Sequence, residues 1–389
     1  MDFDLQWLLI GLPLAFALGW AASRLDLRQW RRDPRDAPRA YFEGLNLLLN
    51  EQQDKAIDAF IEAVQLDPDT TELHFALGNL LRRRGEFERA VRVHQHLLSR
   101  ADLAAADRER AQRALALDFD RAGLFDRAEA AWRALAGSRF ATEARLALLA
   151  LHERAHDWPS AIADARALQE SGSGTFATRI AHYHCERALE ADAAGRGDEA
   201  TQAVAAALHE APEAPRPLVL AGERAARAGN ARGALAHWGR LREVAPAIFP
   251  LVALDYAQQA LAAGADATAL ASSTLRQAWD DDPQPELLPA LEQIERSDAT
   301  GEASAVDRLR LDHLERQPSL AAASAVLALD TGRWRADTRE RLLRAVQRGA
   351  LPLQRYRCAA CGFEAQQYFW QCPGCQGWDS FPPRRLEAG

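Results

Sequence analysis

An internal repeat of about 34 residues restricts the fold of this chain more than any other feature of its sequence. A small residue recurs at the position that would open the second helix of each repeat. These anchor residues are Ala56, Ala90, Ala128, Ala161, Ala200 and Ala234, at intervals of 34, 38, 33, 39 and 34 residues. The segment from residue 40 to about 335 is rich in Ala, Leu and Arg, with few β-branched runs, so it is predicted to be helical.

Three other residue types keep the same register as the anchors. A glycine precedes the anchor by twelve residues at Gly44, Gly78 and Gly222. A proline follows it by twelve residues at Pro68, Pro212 and Pro246. An aromatic residue follows it by four at Phe60, Trp132 and Trp238. The third and fourth repeats depart from the pattern, because Ala116 and Leu149 stand where the glycine would be.

This pattern is typical of the tetratricopeptide repeat, a helix–turn–helix unit. Small residues let two helices cross closely, the aromatic fills the groove beside them, and the proline ends the second helix. An Ala-rich bundle with accidental periodicity is the weaker interpretation. Beyond residue 250 the pattern weakens, and we expect about eight or nine repeats in all. Stacked repeats of this kind form a superhelix that binds peptides or protein surfaces.

Four of the five cysteines lie near the end of the sequence, at Cys358, Cys361, Cys372 and Cys375. The two-residue gap within each C-x-x-C knuckle lets both thiolates face one point. Together the knuckles offer four soft ligands to a tetrahedral ion, at metal–sulfur distances of about 2.3 Å. Gly362 and Gly374 suit backbone positions with positive φ, and Pro373 stiffens the second knuckle. These residues predict one structural metal ion, Zn2+ or Fe, in a four-thiolate site.

Other uses of these cysteines are less favoured. Disulfides would require an exported domain, and a redox C-x-x-C would require a neighbouring βαβ pattern. Zinc is favoured over iron, although four thiolates suit both. Because cysteine fills all four ligand positions, none is left for a catalytic water. A segment of about thirty residues cannot bury enough apolar surface alone, so its folding should depend on the metal.

Aromatic residues crowd the same short segment, at Tyr356, Phe363, Tyr368, Phe369, Trp370, Trp378 and Phe381. A ribbon with two knuckles is too small to enclose all of them. Several are expected to pack around the knuckles, and others to dock onto the rest of the chain.

Residues 5–22 contain no charge, and as a helix they would span about 27 Å, enough for the core of a bilayer. Two acidic residues precede this segment, and six arginines follow it between residues 24 and 39. A cleaved signal peptide would instead carry positive charge before its apolar run. The positive-inside rule therefore predicts a retained single-pass anchor, with residues 24–389 in the cytoplasm. The arginines are expected to lie against anionic headgroups.

Two shorter motifs resemble metal sites. The stretch HERAH, from His152 to His156, matches the H-E-x-x-H pattern of zinc proteases, which would also need a third ligand and a substrate cleft. In the stretch HYHC, from His182 to Cys185, neighbouring helix positions point in different directions. These are predicted to be repeat-face residues, with Cys185 a small buried hydrophobe.

No catalytic residue is predicted, because the sequence has no Gly-rich phosphate loop, nucleophile elbow or Rossmann fingerprint. The net charge is −8, and the 47 basic residues include a single lysine, Lys55. This preference for arginine resembles a coding bias and predicts no nucleic-acid partner. The sequence therefore favours a membrane-tethered binding protein over an enzyme.

The order of anchor, repeats and metal knuckles, together with the segments YRCAACGF and FWQCPGCQGWDSFPPRR, resembles the lipopolysaccharide assembly protein B family over essentially the whole chain. The four knuckle cysteines fall on the metal ligands of that family. A similar ribbon opens the RadA-type recombination ATPases, but their phosphate-binding loop is missing here. The fold class indicated is all-α: a tetratricopeptide-repeat superhelix with an N-terminal transmembrane helix and a small C-terminal rubredoxin-like zinc-ribbon domain.

The resemblance implies an adaptor in the bacterial inner membrane, with a periplasmic N-terminus and its bulk on the cytoplasmic side. The family works with the FtsH protease to control turnover of the LpxC deacetylase. It is restrained by a membrane regulator of the PbgA/YejM type and acts among lipopolysaccharide-assembly proteins. Two alternatives stay open: a general scaffold for envelope-biogenesis enzymes, and electron transfer by an iron-loaded ribbon. Rubredoxins, however, separate their knuckles by more than the ten residues found here.

The predicted domain boundaries follow from these features. They are 1–22 for the anchor, 23–39 for an Arg-rich juxtamembrane linker, 40–335 for the repeat array, 336–352 for a connecting helix or linker, and 353–389 for the rubredoxin-like domain.

Overall fold

The computed structural model describes residues 15–20, 36–295, 310–311, 313–314, 319–328 and 336–386. The chain divides into two compact units, Met1–Asp164 and Ala165–Gly389. The predicted anchor at 5–22 and the linker at 23–39 lie mostly outside the described residues. Among the described residues, no helix is both long and apolar enough to cross a membrane.

The first unit consists of helices that follow one another as antiparallel pairs. They are α1 (Asp36–Leu49), α2 (Gln53–Leu66), α3 (Thr71–Arg83), α4 (Phe87–Ser99), α5 (Ala105–Arg121), α6 (Phe125–Arg133) and α7 (Ala141–Arg154). The next helix, α8 (Trp158–Glu170), begins in this unit.

The second unit continues the helical pairs and ends in a small ribbon. Its helices are α9 (Ala177–Ala193), α10 (Gly197–Glu210), α11 (Pro215–Arg227), α12 (Ala231–Val244), a 3-10 turn (Phe249–Val252), α13 (Ala253–Ala263), α14 (Ala265–Asp281), α15 (Leu287–Glu295), α16 (Leu320–Ala328) and α17 (Ala336–Ala350). Strand β1 (Tyr356–Arg357) then pairs antiparallel with β2 (Glu364–Ala365).

The anchor alanines explain why the helices pair. All six are completely buried, with 0% exposure, near the start of the second helix of their pairs. The glycines of the pattern bring the aromatic residues close to the first helix. A Cβ on Gly44 would lie 2.7 Å from the Phe60 ring, and one on Gly222 would lie 2.2 Å from Nε1 of Trp238. The first and sixth repeats therefore have the close contact between glycine and aromatic that the sequence predicted, and the tetratricopeptide fold is confirmed.

Polar contacts join neighbouring repeats within each unit. In the first unit the buried carboxylate of Asp118 accepts hydrogen bonds from Arg82 at 2.8 Å and from the ring of buried His94 at 2.5 Å. In the second unit Arg216 donates to Glu186 at 2.7 Å. These contacts fix the register of adjacent repeats, while the apolar core supplies most of the stability.

Candidate metal centre and its contact with the repeats

The four knuckle sulfurs converge on one point. They all lie within 4.8 Å of one another, with Cys358 and Cys375 3.8 Å apart and Cys361 and Cys372 3.7 Å apart. A tetrahedron with metal–sulfur bonds of about 2.3 Å has edges of about 3.8 Å, so these separations fit a bound ion. The cysteines therefore form a rubredoxin-like tetrathiolate metal site, and the donor set suits zinc and iron.

The two knuckles are built as equivalent turns. In the first, the backbone N–H of Gly362 donates to the carbonyl of Cys358 at 2.9 Å. In the second, the N–H of Gln376 donates to the carbonyl of Cys372 at 2.7 Å. Each C-x-x-C segment thus lies within a turn of the chain, and both of its sulfurs face the common site.

One prediction for these turns was right and the other was wrong. Gly362 has a φ of 77°, as its position after the knuckle requires. In the second knuckle the positive φ, 58°, falls on Gln376, which is the equivalent residue, and not on Gly374. Gly374 serves close packing instead, because a Cβ there would lie 3.3 Å from the side chain of Phe363.

Hydrogen bonds prepare one of the sulfurs for metal binding. The Ser380 hydroxyl lies 3.3 Å from the Cys358 sulfur. This hydrogen bond, aided by the backbone N–H groups of Cys361 and Ala360, lowers the pKa of the Cys358 thiol to about 6. Since the thiolate is the form that binds metal, the loop carrying Ser380 favours the liganded state. Cys358 and Cys372 are buried, while Cys361 and Cys375 are exposed.

Aromatic residues form the small core around the knuckles. Tyr356 and Phe381 are buried and pack with Cys358 and Cys372, and the rings of Tyr368 and Phe381 meet edge to face. Phe363, in contrast, remains exposed. The expectation that several aromatic residues pack around the knuckles is therefore confirmed.

Trp378 leaves this core and packs on the repeats, within the second unit. Its ring stacks on that of His182 with centroids 4.6 Å apart, and the guanidinium of Arg216 lies 5.5 Å from its centroid. The neighbouring Asp379 accepts a hydrogen bond from Nε2 of His182 at 2.8 Å. His182 and Arg216 lie 34 residues apart, so they occupy equivalent repeat positions in α9 and α11. The expected docking of aromatic residues onto the chain is confirmed.

Further contacts surround this stack. Trp370 packs against the core formed by α11 to α15, and Leu251 packs against the core of the rubredoxin-like domain. At the edge, Arg384 donates to Asp282 at 2.7 Å. The domain is thus held to the repeats by an apolar and aromatic centre with a charged rim.

The two short histidine motifs have other roles. The ring of His152 is held by Asp164 at 2.8 Å and by Glu129 at 3.1 Å, while His156 lies in the turn after α7 with its ring against Trp158. Across the part of the chain that the structure describes, the four knuckle cysteines are the only cluster able to hold a metal. His152 and His156 of the HERAH stretch thus contact different neighbours, the carboxylates of Asp164 and Glu129 in one case and the Trp158 ring in the other.

The side chains of the HYHC stretch point in different directions, as helix geometry requires. Cys185 is fully buried, and burial raises the pKa of its thiol to about 12, so it packs as an unreactive small side chain, as predicted. His182 was predicted only as a repeat-face residue, and its contacts with Trp378 and Asp379 of the rubredoxin-like domain were not predicted. The sequence feature that could have identified these contacts is the 34-residue spacing of His182 and Arg216, which places both residues on one continuous surface of consecutive repeats.

Comparison with known proteins agrees with this architecture. Residues 356–383 match the family described as a rubredoxin metal binding domain. The chain is 30% identical to lipopolysaccharide assembly protein B of Escherichia coli (strain K12), over 98% of each sequence. It is 27% identical to the protein of the same name from Haemophilus influenzae, over 97% of this chain and 98% of that one.

Two solved structures are also similar to parts of the chain. A tetratricopeptide repeat protein from Parabacteroides merdae is 15% identical, with a TM-score of 0.33, and covers 67% of this chain and 99% of its own. The Naa15/Naa10 complex bound to HypK-THB gives 13% identity and a TM-score of 0.42, covering 81% of this chain and 52% of that one. TM-scores this low support no conclusion, and the fold rests on the helices described above.

The molecule is thus a tetratricopeptide-repeat protein that carries a C-terminal rubredoxin-like metal-binding domain. The match to relatives over nearly the whole of both chains identifies the family within this class. The chain belongs to the lipopolysaccharide assembly protein B family.

Proposed function

We propose that this chain is an inner-membrane adaptor that regulates lipopolysaccharide synthesis by promoting FtsH-mediated proteolysis of the LpxC deacetylase. The observation that carries the proposal is the match to lipopolysaccharide assembly protein B over 98% of both chains. A repeat array joined to a structural metal site supports a role in binding proteins. In this proposal the chain binds proteins, and the protease carries out peptide cleavage.

The anchor is the second part of the proposal. Residues 5–22 would fix the chain in the membrane with its N-terminus in the periplasm, and the charge pattern of the sequence supports this topology. A regulator of the PbgA/YejM type would act on this segment. Tethering raises the effective concentration of the repeats near a membrane protease, so that substrate turnover rises without any reaction catalysed by the adaptor.

The rubredoxin-like domain would act as a structural part of the binding surface. A bound zinc or iron ion would supply the cross-link that closes the two knuckles. The chain itself contributes Trp378 and Asp379, which contact His182 and Arg216 on two successive repeats. Because one domain spans both repeats, it would restrict their relative movement and keep the surface in one form.

Pull-down of the full-length protein from detergent-solubilised membranes of its own host tests this function. We expect both the protease and the deacetylase to be recovered. Recovery of other envelope-biogenesis enzymes without either of them would favour the general scaffold instead. A chain lacking residues 1–22 should still bind partners but regulate deacetylase levels poorly, and full regulation by it would contradict the role given to the anchor.

A further inference from the structure

Helix α1 exposes a stripe of large apolar side chains. Phe42, Leu45 and Leu49 are 60%, 40% and 77% exposed, and their spacing of three and four residues places them along one side of the helix. Elsewhere in the repeats of this unit, large apolar side chains are exposed singly or as the adjacent pair Leu124 and Phe125. These three residues, the α1 stripe, therefore form a continuous apolar surface on the outside of the fold.

Other residues of α1 hold the helix on the repeats. Gly44 is buried against the ring of Phe60, and Leu48 packs on the core of the first two repeats. Because α1 is the first helix of the repeat array, its outer surface is expected to be polar, as it is in the terminal units of such arrays. The α1 stripe departs from that rule, and an exposed apolar surface of this kind marks an interaction site.

The length of the chain before α1 limits how far the stripe lies from the membrane. Thirteen residues, 23–35, separate the predicted anchor at 5–22 from the first residue of α1. A fully extended chain spans at most about 3.5 Å per residue, so α1 lies within about 45 Å of the inner surface of the bilayer. Any shorter path of these residues brings the helix closer.

The charge of this connecting stretch selects a lipid surface as the occupant. Residues 23–35 contain five arginines and two aspartates. An excess of arginine next to a membrane anchor is attracted to anionic headgroups, which draws the start of α1 toward the bilayer. A second copy of the chain or another protein would account for the apolar stripe but not for the basic stretch beside it. A helix with an apolar side at this place suits the interface between headgroups and acyl chains.

We propose that the α1 stripe contacts the inner leaflet of the membrane, so that α1 lies along the bilayer surface. Leu45 and Leu49 would reach the boundary between the headgroups and the acyl chains, while the preceding arginines bind anionic headgroups. The inference rests on the proposed anchor and adds a second membrane contact to it. That contact fixes the orientation of the first repeat at the membrane, which an anchor joined by a flexible stretch would leave free.

Fluorescence of the full-length protein in lipid nanodiscs tests the proposal. The discs contain phosphatidylcholine and phosphatidylglycerol at about three to one, with a nitroxide on the acyl chains of some of the lipid. A fluorescent coumarin amino acid replaces Leu49 in one chain and Leu146, an exposed leucine of α7, in a matched control chain. Quenching by the nitroxide should be about threefold or more stronger at position 49 than at position 146.

Substitutions and a change of lipid then assign the contact. Phe42→Ser combined with Leu45→Ser should reduce the quenching at position 49 about twofold or more, whereas Leu124→Ser, at an exposed leucine of another repeat, should leave it unchanged. Discs of phosphatidylcholine alone should also reduce it about twofold or more, because the arginines lose their anionic partners. Equal quenching in the two kinds of disc would overturn the role given to the basic stretch.

Three other results would overturn the proposal. They are equal quenching at positions 49 and 146, wild-type quenching in the double serine variant, and blue-shifted emission at position 49 without quenching. The last of these would identify a protein cover, either another segment or a second copy. Failure of the chain to enter the discs would overturn the proposed anchor as well. A chain that enters them without quenching at position 49 would overturn this inference alone.

Discussion

His182 of α9 donates a hydrogen bond of 2.8 Å to Asp379 of the rubredoxin-like domain, across 197 residues of sequence. The contact joins a helix of the repeat array to the loop that follows the second metal knuckle. Trp378 lies between Cys375 and Asp379 in the sequence, and its ring stacks on the imidazole of His182. The structure therefore connects the metal site to the repeats through three residues of chain, and this short loop is one of the contacts that position the domain.

Asp379→Asn should loosen this connection. Asp379 has a φ of 50°, a conformation that asparagine tolerates, so the substitution removes the charge without straining the backbone. We expect faster hydrogen exchange in residues 356–386 and in the turn of α9 that contains His182. Asp282→Asn is the matched control, because its bond to Arg384 is exposed and should contribute little. Equal effects of the two substitutions would contradict the central role given to the His182 contact.

Gly222→Ala should destabilise the sixth repeat. The new Cβ would lie 2.2 Å from Nε1 of Trp238, which is buried, so the ring would have to move, at a cost of about 1–3 kcal/mol. Gly239→Ala, in helix α12, is the control, since no atom lies within 4 Å of its Cβ. That change should stabilise the protein by up to about 1 kcal/mol through helix propensity. Thermal unfolding measures both changes, and shifts of the same sign would contradict the packing described here.

The repeats and the metal ligands could be predicted because each is set by local spacing. The anchors Ala56 and Ala234 are buried since a regular helical pair brings every thirty-fourth residue to the same place. The contact of His182 with Asp379 depends on how a separate domain packs, and no local pattern specifies that. Gly374 was misjudged for a related reason: it is required by contact with Phe363 and not by its own φ.

His184 should make stability depend on pH. It is buried, neither ring nitrogen has a partner among the described residues, and burial followed by the charge of Arg187 lowers its pKa below the ordinary 6.5. The unfolded chain therefore takes up the proton at a higher pH than the folded chain does. Above about pH 6.5, protonation of His184 does not affect the free energy of unfolding. As the pH falls below that value, His184 lowers the free energy of unfolding.

His184→Leu tests that dependence. The free energy of unfolding should fall less steeply between pH 7 and pH 5 than in the wild-type chain, because one protonation is removed. At pH 7 the variant should be at least as stable, since a buried polar ring without partners is replaced by an apolar group. His209→Gln, at an exposed histidine, should keep the wild-type slope. A slope in His184→Leu equal to that of the wild type would contradict the prediction.

Cys372→Ser should abolish metal binding. Elemental analysis of protein purified from its own host should give about one zinc or iron per wild-type chain and almost none for the variant. Without the cross-link, residues 356–386 should unfold, as a strong chelator should also cause. Cys185→Ala, at the buried cysteine of α9, should retain the metal. Metal content in Cys372→Ser equal to that of the wild type would show that this thiolate is not required.

The lifetime of the deacetylase in cells tests the account most directly. Pulse–chase labelling would follow it in a strain that lacks the native gene and carries the wild-type, Cys372→Ser or Cys185→Ala chain at equal levels in the membrane. The account predicts rapid turnover with the wild type and with Cys185→Ala, and slow turnover with Cys372→Ser, as in cells with no copy. Rapid turnover with Cys372→Ser would contradict the claim that a metal-closed domain on the repeats is needed to deliver the substrate.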